Sequence, residues 1–283
     1  MQSMTDVYTL SNGVEIPIVG FGTWNIANDE QSVSLMQYAI DAGYRHIDTA
    51  AAYGNEESVG RAVKRSGVKR EEIFITSKLW NAEHGYDKTM AAFENTLRKL
   101  QMDTLDLYLI HWPNPIAFRD RWQEANAGSW KAFEELYKAG RIKSIGLSNF
   151  HRRHIEELLK TATIAPMVNQ IRLCPGDTQD EVAGYSRSLH MILEAYSPLG
   201  TGKIFELPEL KKISEKYGKT VAQIAIRWSL QRGYLPLPKS TNPARILENT
   251  KVFDFELEDK DMQLLANLKG AAGYAQNPDT TSF

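Results

Sequence analysis

The sequence predicts an α/β fold built as a closed (β/α)8 barrel, and three observations carry that prediction. Short β-like apolar runs alternate with helical runs, eight barrel-strand runs are found, and no linker rich in glycine, serine and proline divides the 283 residues. Helices between consecutive strands imply right-handed crossovers and a parallel sheet. Eight repeats in a chain of this length fit a closed barrel better than an open sheet. The expectation is one domain over residues 1–283, with an N-terminal β-hairpin ahead of the barrel and a short C-terminal tail behind it.

Val7 to Leu10 and Val14 to Ile16 flank Ser11-Asn12-Gly13, and an Asn-Gly step between apolar runs signals a hairpin that plugs or caps the main fold. The barrel strands follow as Pro17 to Gly22, Arg45 to Asp48, Ile73 to Lys78, Leu105 to His111, Ile142 to Ser148, Pro166 to Gln170, Met191 to Tyr196 and Tyr234 to Pro238. Gly54-Asn55 turns the chain into a helix near Glu56. Met90, Phe93, Leu97 and Leu100 form a helical apolar face behind Asp87 as N-cap. Trp130, Phe133, Leu136 and Tyr137 form another, opened by Ser129 and ended by Gly140. A third face, Val221, Ile224, Ala225 and Trp228, follows Thr220 and Gln223, which have the spacing of a capping box.

Hydrophobic residues make up 42% of the chain and charged residues 24%, enough for a sizeable core and against wholesale disorder. A formal net charge of -2 provides no general basic field for nucleic acid or an anionic membrane. The single cysteine, Cys174, has no partner for a disulfide or a cysteine-based metal site, suits a reducing cytosol, and reads as structural. The N-terminus lacks a basic segment before an apolar run, and no stretch approaches the ~20 apolar residues of a membrane span. A cytoplasmic location is the expectation.

In such a barrel the active site gathers at the C-terminal ends of the strands. Those ends read Gly22-Thr23-Trp24, Asp48 with Tyr53, Lys78 with Trp80, His111-Trp112, Ser148-Asn149, Gln170, Tyr196-Ser197 and Lys239-Ser240. A phenol with a pKa of about 10 is a poor acid at neutral pH unless a cation lowers it. Lys78 is the cation expected to lower the pKa of Tyr53, with Asp48 keeping the buried lysine charged. A neutral His111 would donate a hydrogen bond to a carbonyl oxygen while Tyr53 delivers a proton to it.

Taken singly, each of these residues is more often structural, but the four at successive strand ends describe a tuned proton donor. They lack a nucleophile with a base, and the missing half is an electron donor. The other five histidines read as surface or loop residues; His151 and His154 have no third ligand nearby in sequence, so no metal is expected. Trp24, Trp80 and Trp112, each beside a polar candidate, read as an apolar substrate pocket.

No glycine fingerprint for a dinucleotide or P-loop survives inspection. Gly20-Phe21-Gly22-Thr23-Trp24-Asn25 breaks at its third glycine, and Ile213 stands where a P-loop ending Gly218-Lys219-Thr220 needs its first. After the last strand, Asn242 is a natural N-cap and Pro243 a natural first helical residue. Flanked by Lys239, Ser240 and Arg245, this helix start reads as a monophosphate site.

Gly43-Tyr-Arg-His-Ile-Asp48-Thr-Ala, Leu109-Ile-His111-Trp-Pro113, Ile145-Gly-Leu-Ser148-Asn149-Phe150, Asn169-Gln170, Ala195-Tyr196-Ser-Pro-Leu199-Gly200 and Pro238-Lys239-Ser240 together resemble the aldo-keto reductase family. The resemblance runs from the hairpin to the last helix and implies a TIM barrel binding extended NADPH. It implies reduction of aldehydes and ketones, with Asp48, Tyr53, Lys78 and His111 as the catalytic tetrad. Ser148, Asn149 and Gln170 would hold the carboxamide, and Tyr196 would stack on the nicotinamide, with Ser197 and Leu199 among the cofactor contacts. Lys239, Ser240 and Arg245 would take the 2′-phosphate of NADP(H), with Glu248 and Asn249 near the adenine. Thr23, Trp24 and Asp48 would lie beside the cofactor, and Trp24, Tyr53, Trp80, His111 and Trp112 around a small carbonyl substrate. A monomer is expected.

Two stretches depart from the family pattern. Leu173-Cys174-Pro175-Gly176 stands where many relatives have a His-Pro pair, and the tail beyond Gly270 is brief. The tail resembles the bacterial 2,5-diketo-D-gluconate reductase-like branch and suggests a tolerant enzyme. Two further readings are a barrel aldolase with Lys78 as its Schiff-base lysine, and a cofactor-sensing or structural barrel with little turnover.

Overall fold

The protein is described by a computed structural model covering residues 3–283. Strands β1 (Val7–Thr9) and β2 (Glu15–Pro17) form the expected antiparallel hairpin. Asn12 holds its turn by accepting from Val14 N at 3.2 Å and donating to Lys143 O at 2.9 Å. Lys143 precedes a barrel strand, so the hairpin closes the N-terminal end of the barrel, opposite the C-terminal ends of the strands.

Eight parallel strands follow in sequence order: β3 (Phe21–Gly22), β4 (His46–Asp48), β5 (Phe74–Leu79), β6 (Leu107–Ile110), β7 (Ile145–Ser148), β8 (Val168–Arg172), β9 (Ile192–Tyr196) and β10 (Leu235–Leu237). Gly20 N and Gly22 N each donate at 3.1 Å to the carbonyls of Pro236 and Pro238, joining the first strand to the last. Among the described residues ten α-helices lie between or after the strands: α1 (Glu30–Asp41), α2 (Glu56–Arg65), α3 (Tyr86–Leu100), α4 (Trp122–Lys138), α5 (Arg152–Leu159), α6 (Asp180–Ser188), α7 (Pro208–Tyr217), α8 (Val221–Gln231), α9 (Pro243–Glu248) and α10 (Asp259–Ala266). The apolar faces read from the sequence, including Phe93, Trp130, Phe133 and Trp228, pack against the sheet with almost no exposed surface. Gly60 lets α2 meet the end of α3, because a Cβ there would lie 2.1 Å from Leu100 O.

Several boundaries differ from those expected, for local reasons. The run Pro17 to Gly22 divides: Pro17 pairs in the hairpin and Ile18 N donates to Asp6 O, leaving Phe21–Gly22 for the barrel. The expected start at Leu105 moves to Leu107 because the Asp106 carboxylate accepts from Ile75 N at 2.9 Å, where a backbone carbonyl would otherwise serve. The strand Pro166 to Gln170 shifts forward to Arg172, which pairs with Tyr196.

Helix ends differ too. Gly85 is the N-cap of α3, which puts Asp87 in the first turn, where its charge suits the helix dipole. Ser129 lies inside α4 and accepts from Gly85 N at 2.9 Å, tying two helices together instead of starting one. The Thr220–Gln223 capping box and the Asn242 cap with Pro243 form as read. Three of the histidines read as surface or loop residues, His46, His84 and His154, are buried.

Candidate active site

A cavity of about 990 Å³ opens at the C-terminal ends of the strands. Its floor is a set of side chains delivered by neighbouring strands. Asp48 ends β4, Lys78 is the penultimate residue of β5, and the register pairs Asp48 with Thr76. Lys78 Nζ donates to both Asp48 oxygens at 2.8 Å, to Thr49 O at 2.9 Å and to Tyr53 Oη at 3.3 Å. A short 3₁₀ turn, Ala51–Tyr53, ends at Gly54, whose φ of 70° is left-handed, and this presents the half-buried tyrosine to the cavity. His111 follows β6, with its ring edge-on to Tyr53 at 5.9 Å and to Trp80 at 5.4 Å between centroids.

The electrostatics refine one expectation and correct another. Burial opposes the Lys78 ammonium, but Asp48 and the Tyr53 oxygen outweigh it and hold the lysine above its usual range. Its amine is thus protonated and engaged on three sides, which removes the free lone pair a Schiff base needs. Burial raises the Tyr53 pKa, Lys78 lowers it and Asp48 raises it again, so the net direction is upward. The expected lowering does not occur because burial of the phenol outweighs the field of Lys78, which Asp48 also opposes. Tyr53 therefore keeps its proton at neutral pH, as a donor must. Burial, and after it Lys78 and His84, hold His111 well below its ordinary value, so the imidazole is neutral.

Beside this floor, Asn149 stands at φ 62°, a left-handed conformation that asparagine tolerates. Its Nδ2 donates to His111 O at 3.0 Å and to Ser148 Oγ at 3.1 Å, while its Oδ1 accepts from Tyr196 Oη at 2.8 Å. Gln170 Nε2 donates to Asp48 Oδ2 at 2.8 Å. Trp24, Trp80, Trp112, Ser197, Leu199 and Lys239 also line the cavity.

Other residues singled out in the sequence lie apart from the lining. Thr23 is buried, with its hydroxyl donating to Asp48 O at 2.9 Å, so it braces the strand end from behind. Ser240 and Arg245 flank the start of α9, whose first amides are already capped: Asn242 Oδ1 accepts from Ala244 N at 2.9 Å and from Arg245 N at 3.4 Å. An anion there would depend on the side chains of Lys239, Ser240 and Arg245. Glu248 accepts from Thr220 Oγ1 at 2.9 Å, and Asn249 is buried with Oδ1 unpaired. His154 uses both ring nitrogens, toward His151 N at 3.1 Å and Asp279 at 2.8 Å.

The outer wall comes from residues beyond α10: Ala272, Gly273, Tyr274, Gln276 and Phe283 all line the cavity. Phe283 lies nearly parallel to Trp80 at 6.2 Å and edge-on to Trp112 at 4.9 Å. The departing loop after β8 is what docks this tail. Arg172, ion-paired with Asp177, donates to Gly273 O at 3.0 Å and Ala272 O at 2.7 Å, and Asp177 accepts from Ala275 N at 2.8 Å. Gly176 N donates to Leu265 O at 3.0 Å, and a Cβ at Gly176 would lie 2.5 Å from Leu268 O. Farther on, Asp279 is held by Asn114, Arg153 and His154. Cys174 is buried within the same loop, and burial pushes its thiol up to about 11, in keeping with a structural role.

With this geometry, comparison with known proteins is informative. The model of the aldo/keto reductase family matches residues 18–269. The chain is 47% identical over 281 residues to the glyoxal reductase of Bacillus subtilis, covering 99% of each protein. It is 42% identical over 275 residues to the methylglyoxal reductase DkgA of Escherichia coli, covering 96% of this chain and 97% of that one. Among solved structures, a Gox0644 mutant in complex with NADPH matches with a TM-score of 0.90 at 38% identity, covering 100% of both chains.

Proposed function

The chain belongs to the aldo/keto reductase family, and we propose that Tyr53 is the proton donor of its reaction, with Asp48, Lys78 and His111 as the supporting members of a tetrad. The protein reduces aldehydes and ketones to alcohols with NADPH. The observation that carries the proton-donor assignment is the Asp48–Lys78–Tyr53 chain of contacts at 2.8 and 3.3 Å on the cavity floor.

NADPH supplies the hydride that reaches the carbonyl carbon. The protein's part is to bind, orient and protonate. The neutral His111 donates a hydrogen bond to the carbonyl oxygen and fixes it beside Tyr53. As that oxygen gains charge, Tyr53 transfers its proton, and the Lys78 ammonium stabilises the phenolate left behind. Asp48 keeps Lys78 charged while buried.

The residues present fit a long dinucleotide. The side-chain oxygens of Gln170 and Asn149 offer acceptors near the floor, their N–H groups being engaged within the protein, and the Tyr196 ring is fixed by its bond to Asn149. Ser197, Leu199 and Trp24 flank the path toward Lys239, with Thr23 as a brace beneath it. Lys239, Ser240 and Arg245 would hold the 2′-phosphate by their side chains. The unpaired Oδ1 of buried Asn249 suits an adenine amine, with Glu248 alongside.

For the substrate we favour small aldehydes and dicarbonyls within the 2,5-diketo-D-gluconate reductase-like branch. Relatives named for glyoxal and methylglyoxal support this, as do the apolar surfaces of Trp80, Trp112 and Phe283 around His111. We read the chain as a single domain acting as a cytoplasmic monomer, on CH–OH and carbonyl groups and without nucleic acid.

The test is NADPH oxidation against glyoxal, methylglyoxal, aromatic aldehydes and keto-sugar acids, with NADH in parallel. Turnover of the small dicarbonyls with NADPH is expected. Binding of NADPH with no turnover across the panel would favour a sensing barrel instead. Arg245→Ala should weaken NADPH about tenfold, the scale of one charge-assisted hydrogen bond, and leave NADH unchanged. Equal weakening of both would remove Arg245 from the 2′-phosphate site.

A further inference from the structure

One buried acid of the barrel has no part in the reaction described above. Glu194 lies on β9 with no exposed surface, paired in register with Gln170 on β8 and Leu235 on β10. The two-residue period of a strand puts it on the same side as Tyr196, one layer below. Its Oε2 accepts from Gln170 Nε2 at 2.6 Å, and the same nitrogen donates to Asp48 Oδ2 at 2.8 Å. Both N–H bonds of the Gln170 amide are therefore committed to carboxyl groups. Its orientation is fixed, and its oxygen is the group left for the cavity that Gln170 lines.

We infer that Glu194 is a positioning residue for the reduction: with Asp48 it fixes the Gln170 amide for the cofactor, and by staying uncharged it lets Tyr53 become a phenolate. The inference rests on the carbonyl-reductase reading of the site. The groups facing Glu194 are His46 and Asp48 from β4, Lys78 from β5, Gln170 from β8, Leu235 from β10 and, above them, Tyr53. Lys78 is the single cation among them, and Asp48 already matches it.

An ionised Glu194 would place a second negative charge beside Asp48 and oppose a third on Tyr53. Burial, and after it Asp48, pushes Glu194 up to about 8, so the acid holds its proton at neutral pH. With Oε2 accepting from Gln170, that proton belongs on Oε1, which has no hydrogen-bond partner and lies 3.7 Å from His46 Nε2. Burial, and after it Lys78, pushes His46 down to about 3, so this contact is not an ion pair.

The sign of the pH effect follows. As pH rises through about 8, Glu194 ionises, Tyr53 becomes a weaker acid, and kcat/KM for reduction falls along an alkaline limb. Glu194→Gln keeps an acceptor for Gln170 and cannot ionise. It should keep activity near neutral pH within about threefold and lose the limb. Glu194→Leu, which removes the acceptor, should weaken NADPH about tenfold, where Glu194→Gln does not.

A second readout needs neither cofactor nor turnover. Infrared difference spectra of the protein alone should show a protonated carboxyl band disappearing between about pH 7 and about pH 9, and Glu194→Gln should lack it. Absence of that band in the unmodified protein, or a limb unchanged in Glu194→Gln, overturns the inference. NADPH affinity in Glu194→Leu equal to the unmodified value overturns its Gln170 half. Failure of the reductase reading would appear separately, as loss of NADPH turnover in the unmodified enzyme.

Discussion

Asp48, Lys78 and Gln170 reach the floor of the cavity from strands of one hydrogen-bonded sheet, whereas the outer wall is tail, residues 272–283, docked by side-chain contacts across 98 to 165 residues of chain. The floor's charges are paired with one another and buried, so its geometry is set by the fold. The wall depends on a few anchors, Arg172 with Asp177 and Asp279 with its three partners, and can change without moving the floor. The proposed tetrad and the outer wall of the cavity thereby belong to parts of the molecule that can be altered separately.

The comparison breaks if a floor charge can be removed cheaply. Lys78→Met strands the Asp48 carboxylate in the barrel, and breaking a buried pair costs about 3 to 5 kcal/mol. Denaturant unfolding should show a loss of that size, with reduction abolished together with it. A variant as stable as the parent would mean that the floor is not held by this pair.

At the wall the expected effects are smaller and of another kind. Phe283→Ala removes the ring against Trp80 and Trp112 and should raise KM for small carbonyls several-fold, about 1 kcal/mol, with kcat nearly unchanged. Equal losses of kcat and kcat/KM would show that the tail takes part in the chemical step. Arg172→Met should act in the same direction through release of Ala272 and Gly273.

Smaller still are the pH effects, which distinguish the two regions by their histidines. Burial, with Lys78 assisting, pushes His46 beneath the floor down to about 3, and burial pushes His154 at the tail anchor down to about 4 despite Asp279. Both are neutral when folded, so the unfolded chain takes up protons first as pH falls below about 6.5, and stability declines from there toward the folded values. Asp279, held below the usual carboxylate range, contributes stability above about pH 3.8 that is lost only on further acidification. Melting curves between about pH 7 and about pH 4 should therefore fall, and His154→Gln should flatten the slope. An unchanged slope would remove His154 from the balance.

The floor was legible in the sequence because strands alternate with period two and end at recognisable turns, which puts Asp48, Lys78, His111, Ser148, Gln170 and Tyr196 at successive ends. The wall was not. Nothing local to Arg172 or Asp279 announces partners at Gly273 or Asn114, and Phe283 carries no local signal that it will meet Trp80. The direction of the Tyr53 pKa was also out of reach, because it depends on how burial compares with a lysine field that Asp48 partly cancels. Burial of His46, His84 and His154 was missed for a related reason: each lies near a turn or the end of a strand or helix whose cover comes from distant segments.

The account rests most directly on Tyr53, and the decisive measurement compares NADPH affinity with methylglyoxal reduction in Tyr53→Phe. The account predicts affinity within about twofold of the parent and a fall in kcat of at least about 100-fold, the contribution of a general acid. Reduction at the parent's rate in that variant would contradict it.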